Sequence, residues 1–141
     1  MAERLRNVSL LPTCGTIFHP YESDWKLLYS EDFTDSKNTK ISASFRQSIA
    51  LSGFQSEKSW GETIEGRGSQ ITYSALGQKA PLEEKKKWDP VFTKREAIKN
   101  LPDKLIPDLS VRLGGATSND VAKHGIAIRD DFHWRCRVPE R

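Results

Sequence analysis

The sequence is poor in the side chains from which reactive sites are most often built. Its 141 residues include two cysteines, one methionine and three histidines. Two cysteines near opposite ends, Cys14 and Cys136, exclude a dense disulfide framework and fit free thiols in a reducing compartment. No G-x-S-x-G, H-E-x-x-H or C-x-x-C frame occurs, so the common hydrolase, metalloprotease and redox motifs are missing. Gly66-Arg67-Gly68 and Gly114-Gly115 lack the strand-then-helix frame of a phosphate cradle and read as turns. No apolar run approaches the roughly 20 residues of a membrane helix. The first residues lack the apolar core of a signal peptide, and the chain reads as intracellular. Hydrophobic residues make up 36%, against roughly 45–50% in a typical domain by a count that includes glycine. That shortage argues against a large core.

What the chain does have is aromatic side chains and charge. Four Trp, six Phe and three Tyr accompany 29% charged residues, at a net charge of +3. Disordered chains are usually poor in aromatics. The best-specified stretch is 85–106. Thr93 and Glu96 have capping-box spacing, so a helix is expected from Lys94. Leu101 precedes Pro102, and a residue before proline resists the helical region, so that helix is expected to end at 101. Trp88, Pro90, Val91 and Phe92 form an apolar knot ahead of it.

Elsewhere the signals are short. Tyr21, Trp25 and Leu28 fall at i, i+4 and i+7 and predict a helix over 21–29. Ser30–Lys40 reads as a polar turn. Ile41–Leu51 fits both a strand and a helix, and Gly53 ends it either way. Residues 55–78, rich in Gly, Ser and Thr, read as irregular. Leu109, Val111 and Leu113 alternate as a short strand. Ser118 as a cap and Gly125 as a stop predict a helix over 119–124. The expected fold class is a mostly irregular, extended chain. It has short α-helices at about 21–29, 94–101 and 119–124, one or two short strands and no large independent core. No separable domains are expected within 1–141.

Such a chain would be held by anchors. Trp25, Trp60, Trp88, Phe92 and Trp134 are the candidate partner anchors, because aromatic residues dominate interface energies. Lys85, Lys86, Lys87, Arg135 and Arg137 are the candidate electrostatic contacts. The lysines beside Trp88 and the arginines beside Trp134 also interleave cation and aromatic as nucleic-acid proteins do. A net charge of +3 is weak for a polyanion, and no RRM, KH or finger signature is present. Cys14-x4-His19 and His133-x2-Cys136 contain the ligand types of tetrahedral zinc. The pairs lie far apart in sequence, and no metal or cofactor is expected. A non-enzymatic protein whose partners are other proteins is the main reading. A small α+β adaptor domain is the alternative, and an RNA- or single-stranded-DNA-binding protein is the less favoured one.

The size and basic balance, with the knots Phe18-His19-Pro20-Tyr21, Trp60-Gly61, Ile71-Thr72-Tyr73 and Trp88-Asp89-Pro90, resemble the small microtubule inner proteins of ciliary and flagellar doublets. The resemblance implies an extended structural protein of the axoneme. It would line and stabilise microtubules beside tubulin and other inner proteins.

Overall fold

The computed structural model describes residues 5, 6 and 8–125. Trp134, Arg135 and Arg137 lie outside them, as do His133 and Cys136. So does the side chain of Cys14.

The expected extended chain is not what forms. The described residues make an α+β fold with seven strands in two antiparallel sheets. The smaller sheet joins β1 (Ser9–Leu10), β2 (Ile17–Pro20) and β3 (Tyr29–Ser30), with a single helical turn, α1 (Pro12–Gly15), between β1 and β2. The larger has the order β4 (Ile64–Gly66), β5 (Ile71–Ser74), β7 (Ser118–Lys123), β6 (Leu109–Leu113). Helices α2 (Asp35–Ser52) and α4 (Thr93–Leu105) pack side by side on one face of that sheet. Helix α3 (Leu82–Trp88) leads into α4.

Alternation along the strands decides which face is covered. Ile71 and Tyr73 of β5, Val121 of β7 and Leu109 and Val111 of β6 turn to the helices. They meet Ile41 and Phe45 of α2, Ile98 of α4 and Ile106 in one buried cluster. The Phe45 and Tyr73 rings stack with centroids 5.4 Å apart. On the opposite face Thr72 donates to Asp120 Oδ1 at 2.7 Å, and Ser74 lies 3.2 Å from Thr117 Oγ1. Few apolar residues suffice because one layer of helices covers one sheet face.

Helix α2 takes up the second half of the presumed polar turn. Thr34 caps it, accepting from the Lys37 N–H at 3.2 Å, and Gly53 closes it at φ 72. The ambiguous run Ile41–Leu51 is therefore helical. Small buried Ser44 and Ser48 let α4 approach closely.

Helix α4 does not stop at 101 but runs to Leu105, with Pro102 inside it. A proline at this position leaves the Ile98 carbonyl without its helical donor. The Ser48 hydroxyl donates to that carbonyl instead, at 2.5 Å. Nor does Thr93 cap the helix. The Asp89 carboxylate does so, accepting from the N–H groups of Lys94 and Arg95, each at 3.1 Å.

Two expected helices are absent. Over 21–29 the chain forms a hairpin loop and enters β3. Tyr21 and Trp25 do meet, edge to face at 5.1 Å, but across a tight β-bridge rather than a helical turn. Residues 118–123 form β7, the strand between β5 and β6. Val121 is fully buried there, and burial at the sheet centre overrides the capping pattern. The strand expected at Leu109–Leu113 is present. Residues 55–78, expected to be irregular, supply β4 and β5.

Candidate functional site

The described anchors chosen from sequence sit in different local settings. Trp25 is 37% exposed on the small sheet. Trp60 is half-buried, with the Lys58 ammonium 4.6 Å from its ring centre. Trp88 packs half-buried against the main core beneath Lys94, whose Nζ lies 5.0 Å from its ring centre. Phe92 is exposed and left-handed at φ 67, with the Arg95 guanidinium 4.8 Å from its ring centre. The lysines of α3 are engaged locally. Lys86 and Lys87 pair with Glu83 and Glu84, and Lys85 donates to the Gln78 carbonyl at 3.1 Å.

Behind Phe92 lies a buried ion pair that the sequence reading missed. Arg95 Nε donates to Asp89 Oδ2 at 3.0 Å, with both side chains buried. Its Nη1 donates to the carbonyls of Gly114 and Gly115. Burial pushes the Asp89 carboxyl up. Hydrogen bonds from the Arg95 backbone and side chain and the Lys94 backbone, with the guanidinium charge, outweigh burial and lower it overall. All these groups are satisfied by one another, so the pair is a clasp between α4 and the β6–β7 turn rather than a reaction site.

The open chemistry lies on the other side of the helix layer. Among the described residues the large sheet ends at β4, with α2 and the loop after it close by. Between them is a groove of about 620 Å³. One wall is a helical stripe of Asn38, Ser42, Arg46 and Ile49. The floor is Ile64, Gly66, Ile71, Tyr73 and Ala75, and the loop wall includes Ser56, Ser59 and Glu62.

The backbone of β4 has one unpaired side next to this groove. Ser74 N–H donates to the Thr63 carbonyl and Arg67 N–H to the Gln70 carbonyl, each at 2.7 Å. Antiparallel strands alternate hydrogen-bonded and non-bonded pairs. With Glu65 opposite Thr72, the non-bonded pairs are Ile64 with Tyr73 and Gly66 with Ile71. The N–H and C=O groups of Ile64 and Gly66 therefore point away from β5, and they bond to no other described residue. A Cβ built on Gly66 would meet nothing within 4 Å.

Compared with models of known protein families and with characterised proteins, the chain matches none.

Two side chains give the groove its character. Arg46 is exposed and makes no hydrogen bond or ion pair with another described residue. Tyr73 is buried, and desolvation pushes its hydroxyl up to about 12, so it stays a neutral donor at ordinary pH. Asn38 adds a buried carbonyl oxygen with no partner among the described residues. Such a set can bind backbone amides and polar side chains. The sequence held one legible sign of it. Asn38, Ser42 and Arg46 repeat every four residues beside the apolar stripe Ile41, Phe45 and Ile49. That sign becomes readable only once the segment is known to be helical.

Among the described residues no cluster of three His, Cys, Asp or Glu side chains is placed to hold a metal ion. The Cys14–His19–His133–Cys136 arrangement extends outside them. No described helix is long and apolar enough to cross a membrane.

Proposed function

We propose that the protein is a non-catalytic interaction domain that takes up an extended segment of a partner protein as an added strand along β4. The observation that carries this reading is the outward N–H and C=O groups of Ile64 and Gly66, beside a groove lined by both β4 and α2. An edge strand is a template for pairing with another chain. Peptide recognition by strand addition draws affinity from main-chain bonds and specificity from flanking side-chain pockets. Here the groove between helix and edge has room for alternate side chains on the helix side. The resemblance to microtubule inner proteins rested on size, basic balance and aromatic knots, and the extended chain that it implied is not the α+β fold that forms. The adaptor reading keeps the protein partner and fits the fold.

The test uses proline at Gly66. The position sits on the edge strand, where proline is tolerated. Its N–H points outward, so Gly66→Pro removes a donor from the groove while sparing every bond to β5. A random-peptide library is selected against the wild-type protein, and the enriched peptides are measured on both forms. Peptides should shift the amide resonances of Ile64 and Gly66 and bind Gly66→Pro about tenfold more weakly or worse. Equal binding to both forms, shifts confined to other surfaces, or no enriched peptide would each overturn the proposal.

A further inference from the structure

We infer that the groove selects segments bearing an anionic side chain, carboxylate or phosphoryl, directed at Arg46. This rests on the strand-addition reading and specifies what the added strand must carry.

Strand and helix cross the groove in opposite directions. Phe33, just before α2, donates its N–H to the Gly68 carbonyl at 2.9 Å, which places the start of α2 near the Gly66 end of β4. The end of α2 runs into the loop that returns as β4. Along the helix wall Asn38 therefore stands towards Gly66, Ile49 towards Glu62, and Arg46 between them. An added strand directs every second side chain to the helix side of the sheet. One such side chain reaches the stretch of wall that holds Arg46.

Arg46 and Glu62 are the two charged residues among those that line the groove. They form no ion pair with one another, and Glu62 has no charged partner among the described residues. The remaining polar lining near Arg46 is neutral, with Ser42 on the helix and Ser56 and Ser59 on the loop. A guanidinium presents a rigid fork of donors that matches carboxylate and phosphate oxygens, and hydroxyls add further donors. Tyr73, also in the lining, keeps its hydroxyl proton and so has a donor to offer. Glu62 disfavours an anion at its own end of the groove. The preferred side chain therefore lies nearer the Ser42 end, away from Glu62.

The experiment uses degenerate peptide libraries with one fixed central residue, either Asp, phosphoserine, Asn or Lys. Each is measured on the wild-type protein and on Arg46→Gln, Arg46→Glu and Gly66→Pro. Arg46 is exposed, so its replacement leaves the core untouched. Wild type should bind the Asp or phosphoserine library about five- to tenfold more tightly than the Asn library. The preference should fade as salt is raised. Arg46→Gln should bind all four libraries about equally, and Arg46→Glu should favour Lys. Comparing the Asp and phosphoserine arms decides which oxyanion is read. If wild type binds all libraries alike, or Arg46→Gln keeps the anionic preference, the inference is overturned while strand addition stands. If no library binds wild type, or Gly66→Pro binds as well as wild type, strand addition itself fails.

Discussion

At the residue scale the strongest constraint is the Asp89–Arg95 clasp. Asp89 accepts from two backbone N–H groups and one guanidinium. Removing one partner of a buried pair leaves the other charged and unpaired, which typically costs about 3–5 kcal/mol. Arg95→Met should lose stability of that order in urea unfolding at neutral pH. Replacing both residues with apolar ones of similar volume should lose much less. The pH dependence has a definite sign. The folded carboxyl lies below the ordinary 3.8. Its contribution is therefore present above that value and is lost as pH falls through the lower folded value. Asp89→Asn should accordingly be less stable at pH 7 and show a flatter acid limb. An unchanged acid limb would show that other carboxylates govern acid unfolding. None of this was readable locally. Asp89 was visible only as part of an apolar knot, and Thr93 offered a cap that the chain does not use.

At the element scale the long-range contacts explain both what was legible and what was not. The short strand at Leu109–Leu113 was legible because its apolar residues alternate without a competing helical spacing, whereas Ile41–Leu51 carried both periods and folded as a helix. Helix α4 was legible at its start but not at its end. Pro102 reads locally as a stop, and the Ser48 hydroxyl that satisfies the Ile98 carbonyl comes from another helix. Ser48→Ala should therefore act mainly on the last turn of α4. The orphaned carbonyl should cost about 1–3 kcal/mol. Amide exchange over residues 103–106 should rise more than over 94–98. Uniform protection loss along α4 would assign Ser48 to packing alone. The groove stayed hidden for a similar reason. Its walls come from residues 38–49 and 55–75, and they face each other only after β4 and β5 pair. A related closure sets the loop wall. Gly77 has φ 82, and a Cβ there would come within 2.3 Å of the Trp60 carbonyl oxygen. Trp60 in turn donates its N–H to the Leu76 carbonyl at 2.8 Å. The Trp60-Gly61 knot that read as an anchor for a partner is thus held largely by its own chain.

At the scale of the whole molecule, a hydrophobic content of 36% argued against a large core. The apolar residues are nonetheless concentrated rather than spread. Ile41, Phe45, Ile98, Ile106 and Val121 are all fully buried in one layer between two helices and one sheet. The seam is shared by α2, α4, β5, β6 and β7, so these elements have no separate cores to fall back on. Small domains of this kind usually unfold in one cooperative step. Thermal unfolding followed by far-ultraviolet circular dichroism should therefore coincide with unfolding followed by Trp fluorescence, since Trp88 packs against the same core. Phe45 is the sharpest probe, being fully buried and stacked on Tyr73. Phe45→Ala should cost about 3–5 kcal/mol, a large share of the roughly 5–15 kcal/mol that holds such a domain. Both signals should move together to lower temperature, and the groove beside β4 should go with them, because Tyr73 and Ile71 are in its floor. If Phe45→Ala shifted neither signal, or the wild-type signals separated widely, the helices and sheet would not share one core. The β4 edge would then lack the rigid support that the proposed strand addition requires.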